Sequence, residues 1–243
     1  MENSARKNPR DVIKSRDSWW TTVFSARAAN RLVGLLSQTS VTPNQVTIAS
    51  ALLGFAAAAC FATGKWIWLF TGAIILQLSF VLDCADGQLA RLKRMTTERG
   101  AWLDITTDVL KVFAIYFGIS LGAVRMEGRG LFLAYGFVAY FLSVSGMFLY
   151  YARPARLKAD TAVEAEESQR DDSFVEKVYR LVRRRAYFLS FSLPDQLLLI
   201  SLCAIAGRLG FLLRALVIWG VIAMTFSILR TWYRLGAGTS STL

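Results

Sequence analysis

Long apolar stretches constrain the fold of this sequence more than any other feature. A helix needs about 20 residues to cross the hydrocarbon core of a bilayer, and six segments with few charges reach about that length. The chain is 54% hydrophobic and its mean hydropathy is +0.41, which is high for a soluble domain. The six predicted spans cover about residues 44–63, 65–92, 99–123, 129–152, 188–207 and 210–233. The sequence therefore predicts an all-α integral membrane protein with six transmembrane helices.

A shorter amphipathic segment precedes the first span. Between residues 17 and 37, apolar side chains recur at steps of three and four residues, with Arg27 and Arg31 elsewhere on the helical wheel. This pattern predicts an N-terminal helix that lies in the membrane interface. Thr42 and Pro43 then suit the N-cap and first turn of the first span.

These elements divide the chain into three parts. Residues 1–42 form a basic N-terminal tail and the interfacial helix, residues 43–233 form the membrane domain, and residues 234–243 form a tail. Residues 153–187 are too polar to span a membrane, so they are predicted to form a cytoplasmic segment within the membrane domain.

The charge balance is strongly basic, with 28 Lys and Arg against 17 Asp and Glu. The basic residues concentrate in the N-terminal region, in the turn between spans two and three, and in residues 153–187. The positive-inside rule therefore places both termini and that turn in the cytoplasm of a prokaryotic cell. In a membrane protein, basic loops contact anionic lipids, so no nucleic-acid partner is predicted.

Histidine is absent from the sequence, which excludes catalysis by a Ser-His or Cys-His pair. The three cysteines, Cys60, Cys84 and Cys203, each lie in or beside an apolar run. Their spacing matches neither a zinc site nor a disulfide framework. Any catalysis must therefore use carboxylates, lysine, tyrosine or a hard metal ion.

Four aspartates interrupt the second and third predicted spans. Asp83 and Asp86 share one helical face, and Asp104 and Asp108 share another on the next helix. A short turn joins the two helices, which are therefore expected to be antiparallel neighbours whose acidic faces meet near the cytoplasmic boundary. Acidic residues within membrane spans are costly and usually functional.

Four converging carboxylates would repel each other unless a cation compensates them. Carboxylate oxygens suit hard ions such as Mg²⁺, Mn²⁺ or Ca²⁺, and a binuclear site of this kind can bridge phosphate oxygens. Gly87 and Ala90 leave room on the same face for a phosphate, and Arg91 and Thr97 could bind its oxygens.

Two other interpretations stay open on the residues alone. The aspartates could pair with basic residues at the helix ends. They could also mark the ion path of a divalent cation transporter. A transporter should carry acids at mid-membrane depth on several spans, whereas these acids lie on two spans near one surface.

The segment "DCADGQLARLKRMTTERGAWLDITTD", residues 83–108, resembles the signature of the CDP-alcohol phosphotransferase family. That signature is D-x2-D-G-x2-A-R-x8-G-x3-D-x3-D, and each fixed position is matched. The resemblance implies an enzyme of phospholipid or phosphodiester synthesis. Such an enzyme moves a substituted phosphate from a CDP-linked donor to the hydroxyl of a polar acceptor and releases CMP. Family members are usually homodimers.

The resemblance also implies roles for individual residues. Asp83, Asp86 and Asp104 would hold two divalent ions, Mg²⁺ or Mn²⁺, and Asp108 would act as general base and contact metal. The residues implied to bind the cytidine diphosphate are Asp83, Asp86, Gly87, Ala90, Arg91, Thr97 and Gly100.

Substrate identity is less constrained by the sequence. By resemblance to phosphatidylinositol phosphate synthases, Arg153, Arg156 and Lys158 are candidates to bind an acceptor phosphate, with Arg230 as a further one. Each could equally mark the inner membrane boundary. The default donor of the family is CDP-diacylglycerol. The stretch "ANRLVGLLSQTSVTPNQVT" also resembles enzymes that use CDP-inositol to make inositol phosphodiesters.

Overall fold

The computed structural model describes residues 26–151 and 192–237, and within these ranges the regular structure is entirely helical. These two ranges contain seven helices: α1 (Ala26–Leu36), α2 (Pro43–Ala62), α3 (Trp66–Lys93), α4 (Glu98–Glu127), α5 (Leu131–Tyr151), α6 (Leu193–Ile205) and α7 (Leu209–Ala237). The N-terminal tail, the first part of the interfacial helix, segment 153–187 and the last six residues lie outside the described residues.

Five of these helices, α2, α3, α4, α5 and α7, are long and apolar enough to cross a membrane. They correspond to five of the six predicted spans, so the prediction of an all-helical protein with membrane-spanning helices is confirmed to that extent. The remaining predicted span, 188–207, corresponds to α6, an apolar helix of 13 residues. It begins at Leu193, since Pro194 occupies its first turn and the preceding Ser192 has an extended backbone. Residues 188–191 of the predicted span lie outside the described residues.

The N-terminal helix α1 packs on the end of α3. Ala29 and Val33 are buried against Val46 of α2 and against Ala85 and Leu89 of α3. The opposite side of α1 is open, as expected for an amphipathic helix. Its apolar face is therefore used for packing against the membrane domain.

Helix α2 packs along both α3 and α4, whereas α3 and α4 hardly approach each other's backbone. The contact between α2 and α4 is very close. A Cβ atom on Gly118 would lie 2.3 Å from the carbonyl oxygen of Ala58, and one on Gly122 would lie 2.2 Å from that of Phe61. Small residues allow this approach between membrane helices, and it fixes α2 against α4.

Two hydroxyl groups also join α2 to α3. Ser50 Oγ donates to the carbonyl oxygen of Ser79 at 3.0 Å, and Ser79 Oγ donates to that of Ser50 at 2.8 Å. Both side chains are buried, so the two helices are cross-linked by hydrogen bonds in the interior.

The helix ends follow local rules. Thr42 is the N-cap of α2, as predicted, and forms a capping box with Gln45. Helix α3 ends at Arg94, which has φ 56° and ψ 36° and is thus left-handed. Lys93 Nζ donates to the carbonyl oxygens of Thr39 and Val41, both at 2.8 Å. The turn before α2 is thereby tied to the end of α3.

The left-handed conformation of Arg94 leads to a stability prediction. Only glycine adopts this conformation without steric cost, so Arg94→Gly should raise the free energy of unfolding by about 1 kcal/mol. The matched change Arg99→Gly, inside the first turn of α4, should lower it by about 1 kcal/mol. Thermal unfolding of both variants in detergent measures the difference. A lower melting temperature for Arg94→Gly would contradict the prediction.

Candidate active site

The turn from Arg94 to Thr97 sets the relation of α3 to α4. Thr97 is the N-cap of α4, and its hydroxyl accepts from the backbone N–H of Gly100 at 3.0 Å. The two helices therefore run back along each other from this turn. Since α2 lies against both of them, their acidic faces meet across a narrow gap rather than through direct helix packing.

Three of the four predicted aspartates come together in this gap. One carboxylate oxygen from each of Asp83, Asp104 and Asp108 lies within 4.8 Å of the others, and all three side chains are half-buried. Asp83 belongs to α3 and the other two to α4. The expectation that acids from neighbouring helices converge is thus realised for these three.

Asp86, the fourth aspartate, lies outside this group of three. Its buried carboxylate accepts a hydrogen bond of 2.6 Å from Thr47 Oγ1 of α2. It lies three residues after Asp83, and so about 60° away from it around the axis of α3. The structure therefore shows Asp86 beside the cluster, with its orientation set by Thr47.

A lysine lies among the acids. Lys111 Nζ lies 2.5 Å from Asp83 Oδ1 and 2.8 Å from Asp108 Oδ1, and its side chain is only 7% exposed. Ser50 Oγ of α2 contacts both Asp83 Oδ1, at 3.3 Å, and the ammonium, at 3.4 Å. The lysine thus joins the acidic faces of α3 and α4.

The positions predicted to surround a nucleotide lie around the same gap. A Cβ on Gly87 would meet only the guanidinium of the exposed Arg91, at 3.5 Å, so the surface there is open. Ala90 is half-buried. A Cβ on Gly100 would lie 3.1 Å from Asn44 Oδ1 and from Thr97 Oγ1. The Thr97 hydroxyl is used in capping, which gives this residue a structural role.

The predicted acceptor residues are not brought into the site by the described part of the structure. Arg153, Arg156 and Lys158 lie outside the described residues, and Arg230 lies in α7 with a side chain that is not described. A small pocket does open beside Asp108, toward α5 and α6. Its lining residues are Asp108, Val109, Val112, Ser143, Val144, Met147 and Leu193.

Three residues of the site were not predicted from the sequence: Thr47, Ser50 and Lys111. Lys111 follows Asp108 by three residues, which places the two side chains on one face, and a lysine inside a span is itself a signal of function. Thr47 and Ser50 also lie on one face of α2. Their contacts with Asp86 and Asp83 depend on how α2 is rotated, which the sequence does not specify.

Helices long enough to span a membrane, with carboxylates from two of them gathered beside a turn, define a class of membrane protein that handles cations or phosphates. The sequence matches the model of the CDP-alcohol phosphatidyltransferase family over residues 40–226. The chain therefore belongs to that family, and the resemblance of residues 83–108 to its signature is confirmed.

Curated relatives support the same placement. The chain is 26% identical over 196 residues, 80% of its length, to the bifunctional IPC transferase and DIPP synthase of Aquifex aeolicus. It is 36% identical over 94 residues, 39% of its length, to the archaetidylinositol phosphate synthase of Pyrococcus horikoshii. The matches span 40% and 48% of these relatives, so the chain spans less than half of their length.

Solved structures show the same fold. Mycobacterium tuberculosis phosphatidylinositol phosphate synthase with CDP-DAG bound matches with a TM-score of 0.58 and 22% identity, over 85% of this chain and 94% of that one. The structure of the same enzyme with manganese and citrate also gives a TM-score of 0.58, at 20% identity, over 84% of this chain and 88% of that one.

Proposed function

We propose that this protein is a metal-dependent CDP-alcohol phosphotransferase. It transfers a substituted phosphate from a CDP-linked donor to the hydroxyl of a polar acceptor, and CMP leaves. The observation that carries the proposal is the cluster of Asp83, Asp104 and Asp108, because these signature aspartates of a family member lie within 4.8 Å of one another.

The residues present fit a divalent cation. Three carboxylate oxygens at this separation are hard donors of the kind that Mg²⁺ and Mn²⁺ prefer. An ammonium group already lies against two of them, so the pocket accepts positive charge. The related synthase solved with manganese supports the choice of metal. Asp83, Asp104 and Asp108 would hold the ions, two per site, together with Asp86. When bound, they would neutralise charge on the donor diphosphate.

In the proposed mechanism, individual residues of the site have distinct roles. Asp108 accepts the proton of the acceptor hydroxyl while the acceptor oxygen forms a bond to phosphorus and the bond from phosphorus to the CMP oxygen breaks. Thr47 holds Asp86 in place. The open surface at Gly87 lets the nucleotide approach, and Arg91 beside it is positioned to pair with a phosphate. Ala90, Gly100 and Thr97 complete the wall of the nucleotide site.

The proposal extends to the chemical identity of the donor and of the acceptor. A phosphatidyl or analogous group from CDP-diacylglycerol is the first candidate donor, supported by the related synthase solved with CDP-DAG. CDP-inositol is the alternative, supported by the IPC transferase and DIPP synthase. Relatives are named as archaetidylinositol phosphate synthase and phosphatidylinositol phosphate synthase, which favours a phosphorylated polar acceptor. Arg153, Arg156, Lys158 and Arg230 are the proposed residues for its phosphate.

The arrangement in the membrane completes the proposal. Helix α6 belongs to the fifth of six spans and α7 to the sixth, α1 lies in the interface, and residues 43–233 form the catalytic membrane domain between the N-terminal part and the tail. The distribution of Lys and Arg supports a cytoplasmic position for both termini, segment 153–187 and the active site, in the membrane of a prokaryotic cell. The family resemblance supports a homodimer.

A CMP-release assay with purified protein in detergent tests the function. With Mg²⁺ or Mn²⁺, we expect release from CDP-diacylglycerol or CDP-inositol when inositol phosphate, glycerol phosphate or serine is supplied. EDTA should abolish release, since the carboxylates would no longer hold the donor diphosphate, and added Mn²⁺ should restore it. Release that persists in EDTA, or no release with any donor, would contradict the proposal.

A further inference from the structure

Lys111 is a charged residue of the carboxylate site to which the proposed function gives no role. It lies on α4 one turn beyond Asp108, and its ammonium contacts carboxylates of two different helices. We propose that Lys111 is the internal counter-ion of the cluster. It holds Asp83 and Asp108 together before a metal ion binds, and the ion must displace it. This inference rests on the proposed function, since it assumes that the cluster binds a divalent cation.

The contacts of Lys111 argue for a built site. The side chain is 7% exposed, so its ammonium has exchanged water for Asp83 Oδ1 at 2.5 Å, Asp108 Oδ1 at 2.8 Å and Ser50 Oγ at 3.4 Å. A buried ammonium is tolerated only where partners of this kind compensate the loss of water. The two carboxylates and the Ser50 hydroxyl therefore take the place of water around the Lys111 ammonium.

Helix α2 supplies the space for the lysine stem. A Cβ on Gly54 would lie 2.5 Å from Lys111 Cγ and 2.7 Å from Cδ, closer than non-bonded carbon atoms approach each other in proteins. A glycine at this position thus leaves a channel through which the stem reaches the carboxylates. This observation is independent of the ion pairs, because it concerns the methylene groups and not the charge.

The charges explain why the lysine would compete with metal. Three carboxylates with one ammonium keep a net charge of two negative units, so the cluster still attracts a divalent ion. The ammonium contacts one oxygen of Asp83 and one of Asp108, the carboxylates that would hold such an ion, and two cations repel at short range. Lys111 therefore stabilises the metal-free protein and weakens metal binding.

Binding of Mn²⁺ alone, measured by electron paramagnetic resonance on the purified protein in detergent, tests the inference without any substrate. Lys111→Met keeps most of the side-chain volume and removes the charge. We expect its dissociation constant for Mn²⁺ to fall at least about tenfold, and its melting temperature in EDTA to fall below that of wild type. Lys65→Met, the same change at an exposed position on the far end of α3, should alter neither quantity.

A second variant keeps the test decisive if Lys111→Met fails to fold. Gly54→Ala forces the lysine stem out of its channel, so the dissociation constant for Mn²⁺ should again fall. Unchanged or weaker Mn²⁺ affinity in these variants, beside a wild-type protein that binds Mn²⁺, would overturn the inference alone. A wild-type protein that binds no Mn²⁺ would overturn the proposed metal-dependent function and this inference with it.

Discussion

The Asp108→Asn variant should release CMP about 10²–10⁴-fold more slowly than the wild-type protein, because an amide cannot accept the proton of the acceptor hydroxyl. Asp108 is the aspartate to which the proposed mechanism gives this role, and it also lines the small pocket toward α5 and α6. The measurement is the initial rate of CMP release with saturating donor, acceptor and Mg²⁺.

Two further variants distinguish loss of the general base from loss of metal and nucleotide binding. Asp83→Asn should weaken metal-dependent binding of CDP, whereas Asp108→Asn should leave CDP binding largely intact. Glu127→Gln serves as the matched control, because Glu127 ends the same helix at its opposite end and pairs with Arg214. Full activity in Asp108→Asn would show that another group accepts the proton.

The second large effect concerns the packing of α2 on α4. Gly118→Ala should lower the melting temperature in detergent by several degrees, because its new Cβ would lie 2.3 Å from the carbonyl oxygen of Ala58. That oxygen belongs to a helix backbone and cannot move aside alone. Inserting a methyl group into such a contact typically costs about 1–3 kcal/mol, and here the two helices must separate.

Gly146→Ala is the matched control for this experiment. Nothing lies within 4 Å of a Cβ at Gly146 in α5, so the change should be neutral or stabilise the helix by up to about 1 kcal/mol. Equal melting temperatures for the two variants would show that α2 and α4 are not in close contact in the folded protein.

Much of the fold follows from sequence patterns because a bilayer imposes strong rules on helix length and polarity. The long spans, the cap at Thr42 and the convergence of Asp83 with Asp104 and Asp108 were all predictable from local spacing. Hydropathy alone does not reveal a local boundary such as the one at Ser192, where the extended backbone ends and α6 begins.

The surroundings of the aspartates were less predictable. Periodicity predicts which residues share a face of a helix, but it does not predict which other helix that face contacts. The hydrogen bond from Thr47 to Asp86 and the packing of α2 against both α3 and α4 were therefore not predictable. Lys111 shares a face with Asp108, yet its contact with Asp83 depends on tertiary packing. The hydroxyl of Thr97 caps α4, and its contact with a phosphate stays a prediction.

The small side chains along one side of α2 have a consequence for engineering. Thr47 bonds to Asp86, Ser50 contacts Asp83, and Gly54 leaves space for Lys111. The site therefore depends on three helices, and the eight fixed residues of the signature lie on only two of them, α3 and α4. A designer who grafted residues 83–108 onto an unrelated helical hairpin would transplant the acids without their scaffold, and a working graft would have to include this strip of α2 as well.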